Sequence, residues 1–431
     1  MKKILLIGGN YYPELTGIGR YNGEMIDWLA SQGYECTVVT TYPYYPQWKI
    51  TPEYKRRNFW YTREKKGSIN IHRCPHYIPQ KPGGMKRMML DFSFTVSAFF
   101  KIIQLAFGPK RDIVMVVTPP FVPGFLGVLY KKLRGARMVY HIQDLQIEAA
   151  RDLQMIRSKR AISILFGMER YILKRSDQIN SISTGMVKKV KEKTGRDIVL
   201  FPNWSDTARF YPLEQKQALK SKFGLAETNK VILYSGAIGE KQGLDIILQA
   251  AKKLEEHADF KFIICGTGPY KENLQRMAIQ MEVNNLVFLP LQPAEILNQF
   301  LNMADVHLVI QKADASDLVM PSKLTNILAV GGLAIVTAGP GNSLYDEVHT
   351  HQMGILSKVE DPYSLADAIY KSLSEDCSHL KRNARTYAEN YLSIDKVMCR
   401  FVEKIGAIGK EPGEQADHEV ALRTQPANDL K

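Results

Sequence analysis

The chain has 431 residues, 45% of them hydrophobic, and 57 Lys and Arg against 44 Asp and Glu, for a formal net charge of +13. That length exceeds one compact core and the apolar content supplies two, so a single small domain is excluded. Five widely spaced cysteines (Cys36, Cys74, Cys265, Cys377 and Cys399) form no C-x-x-C pair and have no histidine at metal spacing, which reads as reduced cytosolic thiols and no metal site.

The opening MKKILLIGGN resembles the start of a signal peptide, but its apolar run stops at Gly8-Gly9-Asn10 with no cleavage site, so it reads as a first buried strand. Residues 17–30 then carry Ile18, Tyr21, Met25, Ile26 and Leu29 at helical spacing, and residues 34–40 are apolar and β-branched. A βαβ start predicts a parallel sheet with right-handed crossovers.

Residues 49–111 hold most of the positive excess, including Lys49, Arg56, Arg57, Arg63, Arg73, Lys86, Arg87, Lys101 and Arg111, against only Glu53, Glu64 and Asp91. Nucleic acid, anionic lipid or a phosphorylated substrate would each explain this, as would a solvated basic face. Residues 85–107, MKRMMLDFSFTVSAFFKIIQLAF, are too interrupted to span a bilayer and suit either core packing or a membrane interface. Phe59, Trp60 and Tyr61 among arginines could stack on bases, yet no nucleic-acid module signature accompanies them, and no nucleic-acid partner is expected.

Further strands are expected at 113–117, 138–142, 178–181 and 198–201, and a second α/β series at 230–235, 260–265, 286–289, 306–310 and 334–337. Two doubly wound domains follow, with helices at 363–374 and 378–404. The expected division is 1–203, 204–385, a helix at 386–405 crossing back to the first domain, and a disordered tail at 406–431.

The motifs sit where these strands end. In GGNYYPELTGIGR, Thr16, Gly17 and Gly19 let a ligand approach a helix N-terminus that favours an anion, while the G-x-G-x-x-G spacing of a dehydrogenase is missing. HIQDLQ places His141 and Asp144 at a strand end, and FPNWSD (201–206) marks the turn into the linker. In SGAIGEKQGL, Gly236, Gly239 and Gly243 surround Lys241, a lysine suited to a diphosphate. CGTGP supplies Gly266 and Gly268, with room for a base or ribose. In VMPSKLTNILAVGG, Pro321 opens a helix with Ser322 and Lys323 in its first turn and Asn326 one turn on. A lysine at a helix N-terminus is a misfit unless an anion lies beside it.

Taken in this order, the motifs resemble the retaining glycosyltransferases of family 4 over about residues 1–405. PSKLTNILAVGG and HIQDLQ narrow the resemblance to the branch containing colanic-acid glycosyltransferases of bacterial exopolysaccharide synthesis. The resemblance implies a GT-B fold, two Rossmann-like domains facing across a cleft, and a GDP- or UDP-sugar donor, GDP-fucose being the first choice. It also implies a lipid-linked saccharide acceptor, no metal or other cofactor, and a cytoplasmic enzyme peripheral to an anionic membrane surface. Carried over, Gly17 would meet the diphosphate or sugar, Lys241 and Lys323 the phosphates, Gly266 to Gly268 the nucleoside, and Asn326 the ribose; Gly236, Gln242, Pro321 and Ser322 complete the binding set, with His141 and Asp144 on the catalytic side.

Three positions depart from the family pattern. Ala237 stands where an arginine is usual, and the family lysine registers with either Lys241 or Gln242. Asn326 replaces a glutamate, with Asp317 one place away from the partner acid. Gln143-Asp144 replaces an H-D pair, His141 being displaced by two. The alternatives are a GT-B-fold sugar-nucleotide epimerase or hydrolase and a non-catalytic scaffold.

Overall fold

The computed structural model describes residues 2–14, 17–80, 83–152, 156, 158–312 and 321–407, with the backbone alone for 149, 152, 241 and 407. Thr16, Asp317 and residues 408–431 of the expected tail lie outside the described residues, as does the side chain of Lys241.

Two sheets organise the chain. The first contains β1 (Lys3–Ile7), β2 (Glu35–Thr41), β3 (Thr62–Lys66), β4 (Ile69–Cys74), β5 (Ile113–Thr118), β6 (Arg137–Ile142), β7 (Gln178–Ser181) and β8 (Val199–Leu200), in the order β3-β4-β2-β1-β5-β6-β7-β8. The second contains β9 (Lys230–Ser235), β10 (Phe260–Cys265), β11 (Leu286–Leu289), β12 (Val306–Val309), β13 (Ala334–Thr337) and β14 (Ile355–Ser357), in the order β11-β10-β9-β12-β13-β14, parallel throughout. Both orders step outward from a central strand in two directions, the doubly wound pattern.

Continuous apolar runs make these strands, because a parallel sheet is covered on both faces. β1 reads KILLI and buries Ile4 to Ile7, and β5 is buried along its whole length. In the second sheet successive side chains part to opposite faces: Val231, Leu233, Ile263, Val309 and Val336 enter one core layer, and Ile232, Phe262, Ile264, Leu308 and Ile335 the other.

The chain divides into two compact units, one formed by Met1–His141, Ser158–Asn180 and the segment from Met398, the other by Ile142–Arg157 and Ser181–Val397. This division is interleaved, with the segment from Met398 counted in the first unit. The helix expected over 378–404 is broken: Ser378–Tyr387 passes through a π turn at Ala388–Leu392, and Ile394–Ala407 restarts after Ser393. Ser393 leaves the helical path because Ser205 pairs with this stretch, donating its N–H to Leu392 O (2.8 Å) and accepting from Ile394 N (3.3 Å).

The basic tract holds a hairpin the sequence reading missed. β3 pairs antiparallel with β4, which continues the parallel sheet beside β2. Arg73 and Arg111, counted there as part of a solvent-facing charge, are turned inward, with 2% and 8% of their surface exposed. The Arg73 guanidinium donates to Glu64 (2.6 Å), Tyr12 O (2.7 Å) and Thr41 O (3.2 Å), and lies over the Tyr54 ring. Arg111 donates to Leu105 O, Pro109 O and Thr37 Oγ1. These cations are already satisfied within the fold and leave nothing to offer a partner.

The Gly84–Ala106 helix shows two faces. Leu90, Phe94, Ala98 and Ile102 are buried at spacings of four, while Met85, Met89, Phe92, Phe100 and the following Phe107 are between 53% and 88% exposed. It passes a test of length and apolar composition for crossing a membrane, and only 28% of its most apolar stretch is buried.

Replacing Arg73 with methionine keeps most of the volume but leaves the carbonyls of Tyr12 and Thr41 without their donor, at an expected cost of about 2–4 kcal/mol. Denaturant unfolding of Arg73→Met, followed by a probe in the first unit, checks this; an unchanged midpoint would show that the buried guanidinium does not hold the loop.

Candidate functional site

In the second unit three segments expected to bind a ligand come together. The loop after β9 and the loop after β10 are joined by backbone hydrogen bonds: Gly236 N donates to Cys265 O (2.9 Å), Ile238 N to Thr267 O (2.9 Å) and Tyr270 N to Ile238 O (3.2 Å). A side chain at Gly266 or Gly268 would collide with the carbonyls of Gly236 or Ile238, so these glycines serve loop-on-loop packing first. Gly266 is buried and Gly268 exposed. Gly239 and Gly243 flank the Glu240–Gln242 turn, with the half-buried Gln242 lying against Gly239 and the Lys312 stem against Gly243.

Against these loops stands the amino end of the Ser322–Ala329 helix. Pro321 is buried and directly precedes it, one place earlier than the sequence suggested, and Ser322 is exposed. The stem of Lys323 is half-exposed, but its Nζ is enclosed, has no hydrogen-bond acceptor among the described residues, and sits 3.5 Å from the centre of the Tyr234 ring. A Cβ at Gly236 would lie 3.4 Å from that Nζ, so the loop passes directly beside the ammonium. Burial pushes the Lys323 ammonium down to about 7, since the ring's attraction for a cation, roughly 0.5–2 kcal/mol, does not replace lost hydration. Asn326 is buried, and its Oδ1 accepts from Ser205 Oγ (2.8 Å), which commits that oxygen within the fold.

Tyr234, which the sequence reading passed over as part of an apolar strand, has two jobs here. Its ring is the floor under Lys323, and its hydroxyl donates to Ala237 O (2.7 Å), fixing the loop. Burial raises the Tyr234 phenol, so the hydroxyl stays a donor. The one available signal was chemical: a buried tyrosine needs a partner for its O–H.

In the first unit, Gly17 starts the Gly17–Ser31 helix with φ +57°, a conformation that favours glycine. Gly19 is buried, and a Cβ there would lie 2.8 Å from Glu14. Glu14 is buried, and its carboxylate accepts from Asn10 Nδ2 (2.8 Å) and from the backbone N–H of Tyr44 and Tyr45 (both 2.9 Å), pinning the glycine loop to the segment after β2. Burial raises the Glu14 carboxyl despite these donors. No sequence pattern marks this residue.

His141 is the penultimate residue of β6 at 2% exposure, and burial holds its imidazole down to about 3, so the ring is neutral near pH 7. Asp144 is half-buried in the bend that follows β6. Among the described residues no group of three or more His, Cys, Asp or Glu is placed to hold a metal ion.

Comparison with known proteins gives two family matches that together span most of the chain: the "Glycosyl transferase 4-like domain" at residues 16–204 and "Glycosyl transferases group 1" at residues 215–391. WcaI of Escherichia coli strain K12, a glycosyl transferase named for colanic acid biosynthesis, is 40% identical over 94% of this chain and 99% of its own length. The N-acetyl-alpha-D-glucosaminyl L-malate synthase of Bacillus anthracis is 21% identical over 92% of this chain and 95% of its own. Among solved structures, the sucrose-phosphate synthase of Thermosynechococcus elongatus superposes with a TM-score of 0.73 at 16% identity, covering 94% of this chain and 98% of that one, a likeness of fold.

Between about pH 7 and the ordinary lysine value of 10.5, the unfolded chain binds a proton on residue 323 that the folded chain has shed. Stability from this group therefore rises with pH across that window. Ligand-free protein should gain melting temperature relative to Lys323→Met as pH is raised through it; parallel curves would contradict the enclosed, unpaired ammonium.

Proposed function

Because the chain belongs to the group 1 glycosyltransferases and is a glycosyltransferase of GT-B type, we propose that it moves a sugar from a nucleotide diphosphate donor to a lipid-linked saccharide, with retention, in colanic-acid-like exopolysaccharide synthesis. GDP-fucose is the donor proposed first and UDP-sugars second. The observation that carries the reading is the Lys323 ammonium, enclosed beside Gly236 and the helix N-terminus with nothing among the described residues to accept its protons. A diphosphate oxygen placed there supplies the missing acceptor and the missing countercharge together.

The chemistry follows from charge. The acceptor hydroxyl oxygen bonds to the anomeric carbon on the face that the diphosphate is leaving, the carbon–oxygen bond to the diphosphate breaks, and the hydroxyl proton passes to a diphosphate oxygen. Negative charge grows on the leaving group, and the work of the protein is to stabilise it with Lys323, with Lys241 from the loop after β9, and with backbone N–H groups. Asn326, its Oδ1 shared with Ser205, acts on the ribose more weakly than a carboxylate would.

The acceptor side rests on the first unit. Phe59 and Trp60 are 76% and 75% exposed, and the Gly84–Ala106 helix offers Met85, Met89, Phe92 and Phe100 outward beside Lys86 and Arg87. Such a face suits the interface of an anionic bilayer, in line with a peripheral enzyme on the cytoplasmic side.

Incubation with a panel of nucleotide sugars and a lipid-diphosphate saccharide, read by mass spectrometry, should give one glycosylated product. Lys323→Ala should lower kcat by about 100-fold, more than Asn326→Ala does; equal kcat in the Lys323 variant and the parent would refute the phosphate role. The protein should pellet with anionic liposomes at low salt, and Phe92→Ser/Phe100→Ser should weaken this at least about 10-fold by removing buried apolar area. Failure of the parent to pellet would dismiss the membrane surface.

A further inference from the structure

A second pocket lies at the amino-end edge of the second sheet, away from the loops that follow β9 and β10. A cavity of about 480 Å³ opens at the amino ends of β12 and β13, where Ala304 and Gly332 lead into the strands. Lys216, Lys381, Arg382 and Arg385 line it, together with His307, and no acidic residue does; Leu213, Leu301 and Val330 supply apolar wall.

These charges are unevenly compensated. The Arg385 guanidinium is committed to Phe210 O (2.8 Å), Ala329 O (2.5 Å) and Glu389 (2.6 Å), so it caps the Ser322–Ala329 helix. Asp305, just outside the lining, is taken by Lys220 (2.8 Å) and Val231 N (2.8 Å), which leaves Lys216 with Ala304 O (2.9 Å) and a longer 3.5 Å contact to Asp305. Lys381 is half-buried and Arg382 exposed; neither head group has a hydrogen bond or ion pair among the described residues, and Arg382 feels Asp376 only weakly, as the fourth and smaller pull on that carboxyl. Like charges converging on one hollow repel unless an anion fills it.

His307 is an independent sign. It is 1% exposed, lines the cavity, and its Nε2 is buried without a partner. Burial, then Lys216 and also Lys381, hold its imidazole down to about 3 against the opposing pull of Asp305, so it is a neutral ring with a polar atom unspent. An unsatisfied buried nitrogen costs about 1–3 kcal/mol, which a ligand acceptor or donor would recover.

The geometry points to a binding site for a phosphorylated small molecule, its phosphate held by Lys216, Lys381 and Arg382 beside His307 and its organic body against Leu213, Leu301 and Val330. The cavity is several times larger than a bare phosphate, and its mixed lining fits an anionic head with an uncharged body.

The test uses the full chain carrying Lys323→Ala, which disables the other phosphate site, titrated calorimetrically with inorganic phosphate and with ribose 5-phosphate at constant ionic strength. Ribose 5-phosphate is expected to bind more tightly than inorganic phosphate. Adding Lys381→Ala/Arg382→Ala should weaken that binding at least 10-fold, and Lys381→Arg in its place should restore most of it. Unliganded melting curves check that both variants fold, as expected for head groups without partners. No heat from either probe, or equal affinity after both charges are removed, would overturn the site. Because every arm lacks the Lys323 ammonium, either result is independent of whether the donor reading holds.

Discussion

A lysine ammonium enclosed with no acceptor among the described residues is the constraint on which the second unit's candidate site depends. Burial takes away hydration, the Tyr234 ring returns part of it, and the remaining deficit is an electrostatic vacancy of one sign. Everything near it is arranged to keep that vacancy in place. Tyr234 holds the ammonium from below and ties Ala237 with its hydroxyl, and Gly236 brings backbone alongside. Gly266 and Gly268 allow the two loops to lie in contact. Preorganisation of this kind places the amine before a ligand arrives, so none of the binding energy is spent on moving it, and above about pH 7 only its proton has to be added.

The sheets were largely legible because a parallel strand buried on both faces leaves a continuous apolar run, as in KILLI, IVMVVT and FKFIIC. β3 was not, since TREKK is a charged edge strand whose place is decided by its partner β4 rather than by its own pattern. The same tract shows why charge counted along a sequence overstates a surface: Arg73 and Arg111 serve carbonyls inside the fold. The helix break at Ser393 depends on pairing with Ser205, a contact 188 positions away that no local propensity encodes.

At the candidate site, the glycines and Lys323 were found because strand-end loops and a lysine in a first helical turn are local signals. Their roles were only partly legible. Gly19, Gly266 and Gly268 are small to make room for other protein atoms, and His141 is an interior residue with a neutral ring. Tyr234 and Glu14 were hidden because a buried phenol or carboxylate is identified by what it bonds, and those partners, Ala237 O and the N–H groups of Tyr44 and Tyr45, are set by loop geometry. Asn326 keeps its polar group but spends an oxygen on Ser205, a contact 121 positions away that the sequence does not show.

If a diphosphate completes the Lys323 site, binding at a pH above about 7 must draw a proton onto that residue. Calorimetric titration of the protein with GDP and UDP near pH 8, repeated in buffers of different ionisation enthalpy, counts that proton directly. The account predicts uptake approaching one proton with the preferred nucleotide and none in Lys323→Met. Tight binding with no proton uptake, or with uptake unchanged in the variant, would contradict it.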